Sequence, residues 1–196
     1  MTRIIAGAAG GIRLDVPSAG TRPTSDRVRE SLFQALEPTG MLDGTTVVDL
    51  FAGSGALGLE SLSRGAAVAD LVERHGRAAR VARANADRVS PAVTGSAHVH
   101  AVSAAAFLRT ATRTYDLAFL DPPYDLPDDE LAETLRLLTP RLSADALVIV
   151  ERATRSGAPR WAEAGLAPFR DRAYGDTSVW WGEPAQRAEP DPSQSR

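Results

Sequence analysis

The sequence predicts an α/β fold on a mainly parallel sheet, and three observations carry that expectation. From Thr45 onward, short apolar runs alternate with helical stretches. The first such run opens into a glycine-rich turn, Gly53-Ser54-Gly55, followed by a helical pattern. Near the end the alternation stops, and two extended runs flank Tyr174-Gly175-Asp176, as in an antiparallel hairpin.

Taken in order, the first 22 residues hold Gly7, Gly10, Gly11 and Gly20 around short β-like runs at 3–6 and 12–16, which predicts a small β extension. A helix is expected from about Thr24, with Thr24 or Ser25 as cap and Val28, Leu32 and Leu36 on one face. Strands are expected at 46–50, 69–73, 97–102, 116–120 and 146–151. Between them, one helix spans 56–64 and ends at Gly65, where a left-handed cap is favourable. A second covers 77–89 and stops before Pro91, and a third covers 128–138 with acids in its first turn. The hairpin strands are 168–173 and 177–181. Residues from 183 are polar, proline-containing and aperiodic, the signature of a disordered tail. The division expected is an extension at 1–22, one domain at 23–182 and the tail at 183–196.

Composition narrows the function classes. A chain of 196 residues with 43% hydrophobic residues fills one core. No run nears the roughly 20 apolar residues of a membrane helix, and the start lacks a secretory pattern, so a cytoplasmic protein is expected. Without cysteine there is no disulfide framework and no thiolate metal site. The net charge is −3, but its distribution is uneven. All 22 basic residues are arginine; Arg3, Arg13, Arg22, Arg27 and Arg29 face only Asp15 and Asp26 in the first 29 positions, a basic segment compatible with phosphate contacts.

The segment from Val47 to Gly58 reads as strand, glycine turn and helix start. Gly53, Gly55 and Gly58 satisfy the dinucleotide fingerprint, and Glu73 lies 20 residues past Gly53, where an acid meets ribose hydroxyls. A nicotinamide enzyme is therefore one reading, and a tight turn without ligand is another. Asp49 favours a third. At the end of the first strand its carboxylate suits the cationic methionine end of S-adenosylmethionine, whereas it would repel a pyrophosphate. Ser103, after the third strand, is a candidate adenine contact, and His75 a candidate neighbour of the ribose or adenine.

Asp121-Pro122-Pro123-Tyr124 follows the strand at 116–120, at the carboxyl end where open α/β sheets bind ligands. The prolines remove two N–H donors and leave carbonyls free to accept. The Asp121 carboxylate and the Pro122 carbonyl can take the two hydrogens of an exocyclic amine, and Tyr124 offers a flat face to an unstacked base. A bland turn after a strand is the competing reading. This chemistry serves guanine and adenine amines alike.

Other candidates are weaker. Arg27 or Arg29 could neutralise a cofactor carboxylate, meet RNA phosphates, or lie on a solvated face; Arg77, Arg80 and Arg88 read as solvated. His98 and His100 alternate on one strand with no third ligand, so no metal site is expected. Trp161, Trp180 and Trp181 read as packing residues of the last layer, one of the latter two facing out.

Four segments together resemble the RsmD family of 16S rRNA guanine-N2 methyltransferases: 3–7 (Arg-Ile-Ile-Ala-Gly), 22–33 (Arg22-Pro23-Thr24-Ser25-Asp26 through Phe33), 49–58 and 121–124. The second is the most specific, since methyltransferases in general lack it. The resemblance implies the seven-stranded, Rossmann-like sheet of class I S-adenosylmethionine-dependent methyltransferases with a small N-terminal β extension. It implies S-adenosyl-L-methionine as cofactor and 16S rRNA in the small ribosomal subunit as substrate. The acidic net charge leaves a share of the affinity to ribosomal proteins, and an enzyme addressing one site on a large particle is expected to work as a monomer. The expected catalytic residues are Asp121, Pro122, Pro123 and Tyr124. Cofactor contacts are expected from Asp49, Phe51, Ala52, Gly53, Ser54, Gly55, Glu73, Arg74, Ser103, Thr24 and Arg27, and RNA contacts from Arg3, Arg13, Arg22 and Arg29. Ser103 and the acidic net charge depart from the pattern. The alternatives are an adenine-N6 methyltransferase on DNA or RNA and a non-methylating nucleotide-binding domain.

Overall fold

The structure, a computed structural model, describes residues 2–17 and 26–185. In chain order the elements are β1 (Thr2–Arg3), β2 (Arg13–Leu14), α1 (Asp26–Leu36), β3 (Thr46–Asp49), α2 (Ala56–Ser63), β4 (Val68–Val72), α3 (Gly76–Val89), β5 (Ser96–His100), α4 (Ala104–Thr110), β6 (Tyr115–Leu120), α5 (Asp128–Leu138), β7 (Leu142–Ala153), β8 (Leu166–Tyr174) and β9 (Thr177–Pro184). Strands β3 to β9 form one seven-stranded sheet in the order β5-β4-β3-β6-β7-β9-β8. Five strands are parallel, and β9 pairs antiparallel with both β7 and β8. The chain winds outward from β3 to β5, then returns to place β6 on the other side of β3. The switch point between β3 and β6 is where such sheets leave a crevice at their carboxyl ends.

The strands are apolar on both faces because helices cover both. On one face Val47, Leu71, Leu117 and Phe119 pack with Leu32, Phe33 and Leu36 of α1 and Leu59 and Leu62 of α2. On the other, Val48, Val72, Ala118 and Val148 pack with Phe107 and Leu108 of α4 and Leu131, Leu135 and Leu138 of α5. Within the second face, Asp70 is buried and fully engaged: Tyr115 donates to it at 2.8 Å, His100 bonds it at 2.8 Å and Arg113 pairs with it at 3.3 Å. His100 is thus held by Asp70, and among the described residues no cluster of three metal-ligating side chains forms.

The two-stranded β1–β2 sheet is docked onto the domain. Ile4, Ala9 and Leu14 join the first core. The fully buried Glu60 carboxylate of α2 accepts from the Ile5 N–H (2.7 Å) and the Ala6 N–H (3.0 Å) while pairing with Arg64. Such a carboxylate, desolvated yet saturated with donors, is the arrangement in which a buried charge holds chain segments together.

Several boundaries differ from the sequence reading. The extension strands are two residues each, because turns and docking bonds occupy the rest of 2–17. Strand β5 ends at His100, leaving Val102 42% exposed. Strand β7 begins at Leu142, paired with Tyr115 ahead of a register shift. Strand β9 continues through Glu183 and Pro184, the first two positions of the expected tail, paired with Ala167 and Leu166. Positions 186–196 of that tail lie outside the described residues, as do Thr24 and Ser25, the expected caps. Trp161 and Trp181 are buried; Trp180 is half-buried, and neither it nor Trp181 is an outward-facing surface residue.

Candidate active site

A cavity of about 700 Å³ opens at the carboxyl ends of β3, β4 and β6. Its floor is the loop after β3. Gly55 has φ 82° and caps α2, and a Cβ there would meet Leu71 at 3.0 Å. Gly58 lets α2 pack on β4, since a Cβ would come within 2.2 Å of Leu71, and its N–H donates to Asp49 at 3.3 Å. Gly55 thus shapes the loop but does not itself line the cavity. Asp49, Phe51, Ala52, Gly53 and Ser54 do.

Glu73, just beyond β4, accepts from the Gly53 N–H (3.0 Å) and the His75 N–H (2.7 Å). Each oxygen keeps a second lone pair for a ligand hydroxyl. Asp49 is 1% exposed and its Oδ1 has no hydrogen-bond partner. Burial raises its carboxyl to about 7, and the neighbouring Asp121 and Glu73 charges push the same way. A buried, half-satisfied acid beside a cavity is a group that a cationic ligand completes.

Arg74, His75 and Ser103 also line the cavity. Ser103 is the N-cap of α4, accepting from the Ala106 N–H at 3.3 Å, a role that its spacing alone does not reveal.

The opposite wall is Asp121-Pro122-Pro123-Tyr124 with Asp125, directly after β6. The Pro123 carbonyl closes a turn by accepting from the Leu126 N–H at 2.9 Å. Among the described residues no hydrogen bond takes up the Pro122 carbonyl. Tyr124 is 37% exposed, and its hydroxyl is tied to Thr177 of β9 at 2.8 Å, which fixes the ring beside the cavity.

The two described arginines of α1 lie differently from expectation. Arg27 is exposed and away from the cavity wall. Arg29 is 1% exposed and lines it. Its Nη2 donates to Thr2 Oγ1 (2.9 Å), the Arg3 carbonyl (2.5 Å) and Asp26 (3.0 Å), and its Nε is buried without a partner. Burial draws its pKa down, against Asp26 and Glu60. The Arg29 guanidinium, expected to meet RNA, is enclosed between α1 and the extension where it borders the cavity. Arg3 and Arg13 are exposed, face each other across β1–β2 and lie off the cavity. Arg22 and Thr24 lie outside the described residues.

Sequence reasoning missed Thr2, Val16 and Pro17 of the extension, Ala104 and Ala105 of α4, and Arg155 after β7 as wall residues. For Arg155 a signal existed, its place just past the carboxyl end of a parallel strand. For the extension residues none did, since tertiary docking alone brings them there.

Comparison with known proteins agrees with this architecture. Residues 2–183 match the family model described as Conserved hypothetical protein 95. The chain is 40% identical over 179 residues to ribosomal RNA small subunit methyltransferase D of Escherichia coli, covering 90% of this chain and 86% of that protein. It is 33% identical to a putative rRNA methyltransferase, YlbH, of Bacillus subtilis, over 90% of this chain and 96% of that one. Among solved structures, the putative methyltransferase yhhF of Escherichia coli superposes with a TM-score of 0.80 at 34% identity, covering 94% of this chain and 98% of that one. A magnesium protoporphyrin IX methyltransferase of Synechocystis, solved with bound S-adenosylmethionine, shares the fold at a TM-score of 0.66 and 14% identity, over 85% of this chain and 86% of that one. The sheet is that of the class I methyltransferases, and the chain belongs to the Conserved hypothetical protein 95 family, the RsmD family that its sequence motifs resemble.

Proposed function

We propose that this protein methylates the exocyclic N2 of one guanine in 16S rRNA, with S-adenosyl-L-methionine as methyl donor. The observation that carries the reading is the opening of Asp121–Tyr124 into the same cavity as the Asp49–Ser54 loop and Glu73. A cofactor floor and an amine-accepting wall then share one space, as group transfer requires. The ribosomal substrate comes from the relatives, at 40% identity over 90% of the chain.

The cofactor fits the residues present. Glu73 suits the ribose hydroxyls, and the half-satisfied Asp49 suits the methionine ammonium. Arg29, with its Nε buried without a partner, suits the carboxylate. Phe51, Ala52, Gly53, Ser54, Arg74 and Ser103 complete the wall. When bound, the cofactor supplies an electrophilic methyl group on a sulfonium. The Asp121 carboxylate and the Pro122 carbonyl accept the two amine hydrogens and draw the nitrogen towards tetrahedral geometry. As positive charge develops on nitrogen, these preorganised acceptors stabilise it. Asp121 need not be a strong base, because the methylated ammonium is far more acidic than the amine. Tyr124 stacks on the base, which must leave its neighbours to reach the cavity.

Arg3 and Arg13 place exposed like charges opposite each other across two short strands, a small cost that a polyanion relieves, and they are assigned to RNA with Arg22. The extension at 1–22 serves this contact beside the catalytic domain at 23–182. The enzyme acts as a monomer in the cytoplasm, and ribosomal proteins share the substrate surface; no helix of the described residues is long and apolar enough to cross a membrane.

The test is incubation with labelled S-adenosylmethionine and, separately, unmodified small subunits, free 16S rRNA and DNA, followed by nucleoside analysis. N2-methylguanine in the subunit or rRNA is expected. N6-methyladenine as the sole product would sink the guanine assignment.

A further inference from the structure

Beside the cavity, the sheet edge carries cations that the cofactor wall does not use. Strand β9 starts at Thr177 opposite Ala153, the last residue of β7, so the β8–β9 turn lies at the cavity end of the sheet. That turn is fastened there. Thr154 donates through its N–H to the Asp176 carbonyl (2.8 Å) and through Oγ1 to the Gly175 carbonyl (3.1 Å). The next residue, Arg155, is exposed and lines the cavity. Along β8, Arg172 and Arg170 follow at roughly 7 and 13 Å from Tyr174, from the rise of an extended strand.

Both are exposed, and both are supported by aromatic rings: Arg172 lies 5.1 Å from the Tyr174 ring and Arg170 lies 5.4 Å from that of Trp181. Phe169 beside them is 49% exposed. Among the described residues, none of the three arginines forms an ion pair, whereas Arg109 and Arg136 are held by Glu133 and Arg160 by Asp129. The acceptor side of the cavity is acidic, with Asp121, Asp125 and Glu130. An RNA strand approaching those carboxylates is repelled unless its phosphates meet cations close by. Aromatic-backed arginines keep a planar, oriented fork for that purpose.

We propose that Arg155, Arg172 and Arg170 form a phosphate-binding track for the single-stranded RNA flanking the target nucleotide. Arg155 holds the phosphate of the nucleotide whose base enters the cavity, and Phe169 gives a flat face to a neighbouring base. This rests on the rRNA-methylation reading.

The test uses the full chain with Arg155→Ala, Arg155→Lys and the Arg155→Ala/Arg170→Ala/Arg172→Ala triple variant. Methylation of unmodified small subunits is followed against salt, and S-adenosylmethionine affinity is measured by calorimetry. The KM for subunits is expected to rise roughly tenfold in Arg155→Ala and on the order of a hundredfold or more in the triple variant. The slope of log affinity against log salt should fall by about 0.7–0.9 per arginine removed. Arg155→Lys should restore most of the loss, and cofactor affinity should stay unchanged. A triple variant with wild-type KM and salt slope overturns the track, as does one whose cofactor affinity falls in parallel with activity. A wild type that methylates neither subunits nor rRNA removes the function reading itself, and the track with it.

Discussion

Around the cavity, the wall from β3 and β4 is closed and close-packed, whereas the wall from the ends of β6 and β7, with the β8–β9 hairpin beyond it, is open and polar. On the first, Gly55 and Gly58 leave no room for a Cβ against Leu71, Asp49 is 1% exposed, and Glu73 is bonded by two backbone N–H groups. On the second, Tyr124 is more than a third exposed, and Arg155 and all of β8 from Pro168 to Ala173 face solvent. Under the proposed function, the difference matches what each wall would recognise. A small ligand of fixed shape is gripped by backbone and buried charge, which tolerate little variation. A strand of RNA on a large particle is met by side chains that remain hydrated until contact.

Breaking the open wall at its acceptor gives the largest effect. Asp121→Ala should lower kcat by roughly 10²–10³-fold, the scale for losing one preorganised polar group. S-adenosylmethionine affinity should be retained, and single-turnover kinetics beside calorimetry separates the two; full activity would refute the acceptor role.

On the closed wall, Asp49→Asn should weaken cofactor binding by about ten- to a hundredfold while stabilising the free protein. The folded carboxyl titrates at about 7 against an ordinary 3.8, so the folded state holds its proton more tightly than the unfolded chain. The resulting destabilisation is absent below pH 4, grows as pH rises, and is complete above pH 7 at roughly 4 kcal/mol. The variant's melting temperature should therefore exceed the wild type's at pH 8, and the gap should close towards pH 4. An equal gap at both pH values would contradict the buried charge.

Tyr124, on the open wall, allows ring and hydroxyl to be tested separately. Tyr124→Ala should raise the KM for RNA by roughly ten- to a hundredfold through lost stacking. Tyr124→Phe, which keeps the face and loses only the bond to Thr177, should cost a few-fold. Equal losses in steady-state kinetics would mean that the hydroxyl, not the ring, matters.

The smallest effect sharpens the reading of Ser103. Ser103→Ala should lower stability by about 1 kcal/mol, the usual loss of a helix cap, seen as a drop of a few degrees in melting temperature. Unchanged cofactor affinity would assign the residue to α4 alone.

The same contrast explains what the sequence disclosed. The β3 loop, Glu73 and Asp121–Tyr124 were legible because strand periodicity, glycine spacing and proline chemistry are local. Helix α5 was legible at both ends, with acids in its first turn and Pro140 beyond it. The seven-residue α4 was not placed, since Ala104-Ala105-Ala106 shows no amphipathic period. Which of Arg27 and Arg29 turned inward was decided by packing, because Arg29 shares a face with Leu32 and Phe33. Strand β8, exposed along most of its length, gave no alternation from which its extent could be read.

The docking of β1–β2 also sets an order of assembly. Ile5 and Ala6 depend on Glu60, Ala9 on Ser63 and Asp15 on Asn85, partners 54 to 70 positions further along the chain. During synthesis, β1–β2 emerges before α2 and α3 and has nothing to dock against until they exist. It is made early and placed late, and contacts of such sequence separation slow the closing steps of folding. A substitution at Glu60 should thus act at a distance, delaying completion of the cavity wall at Thr2, Val16 and Pro17 rather than disturbing the glycine loop that lies beside it in sequence.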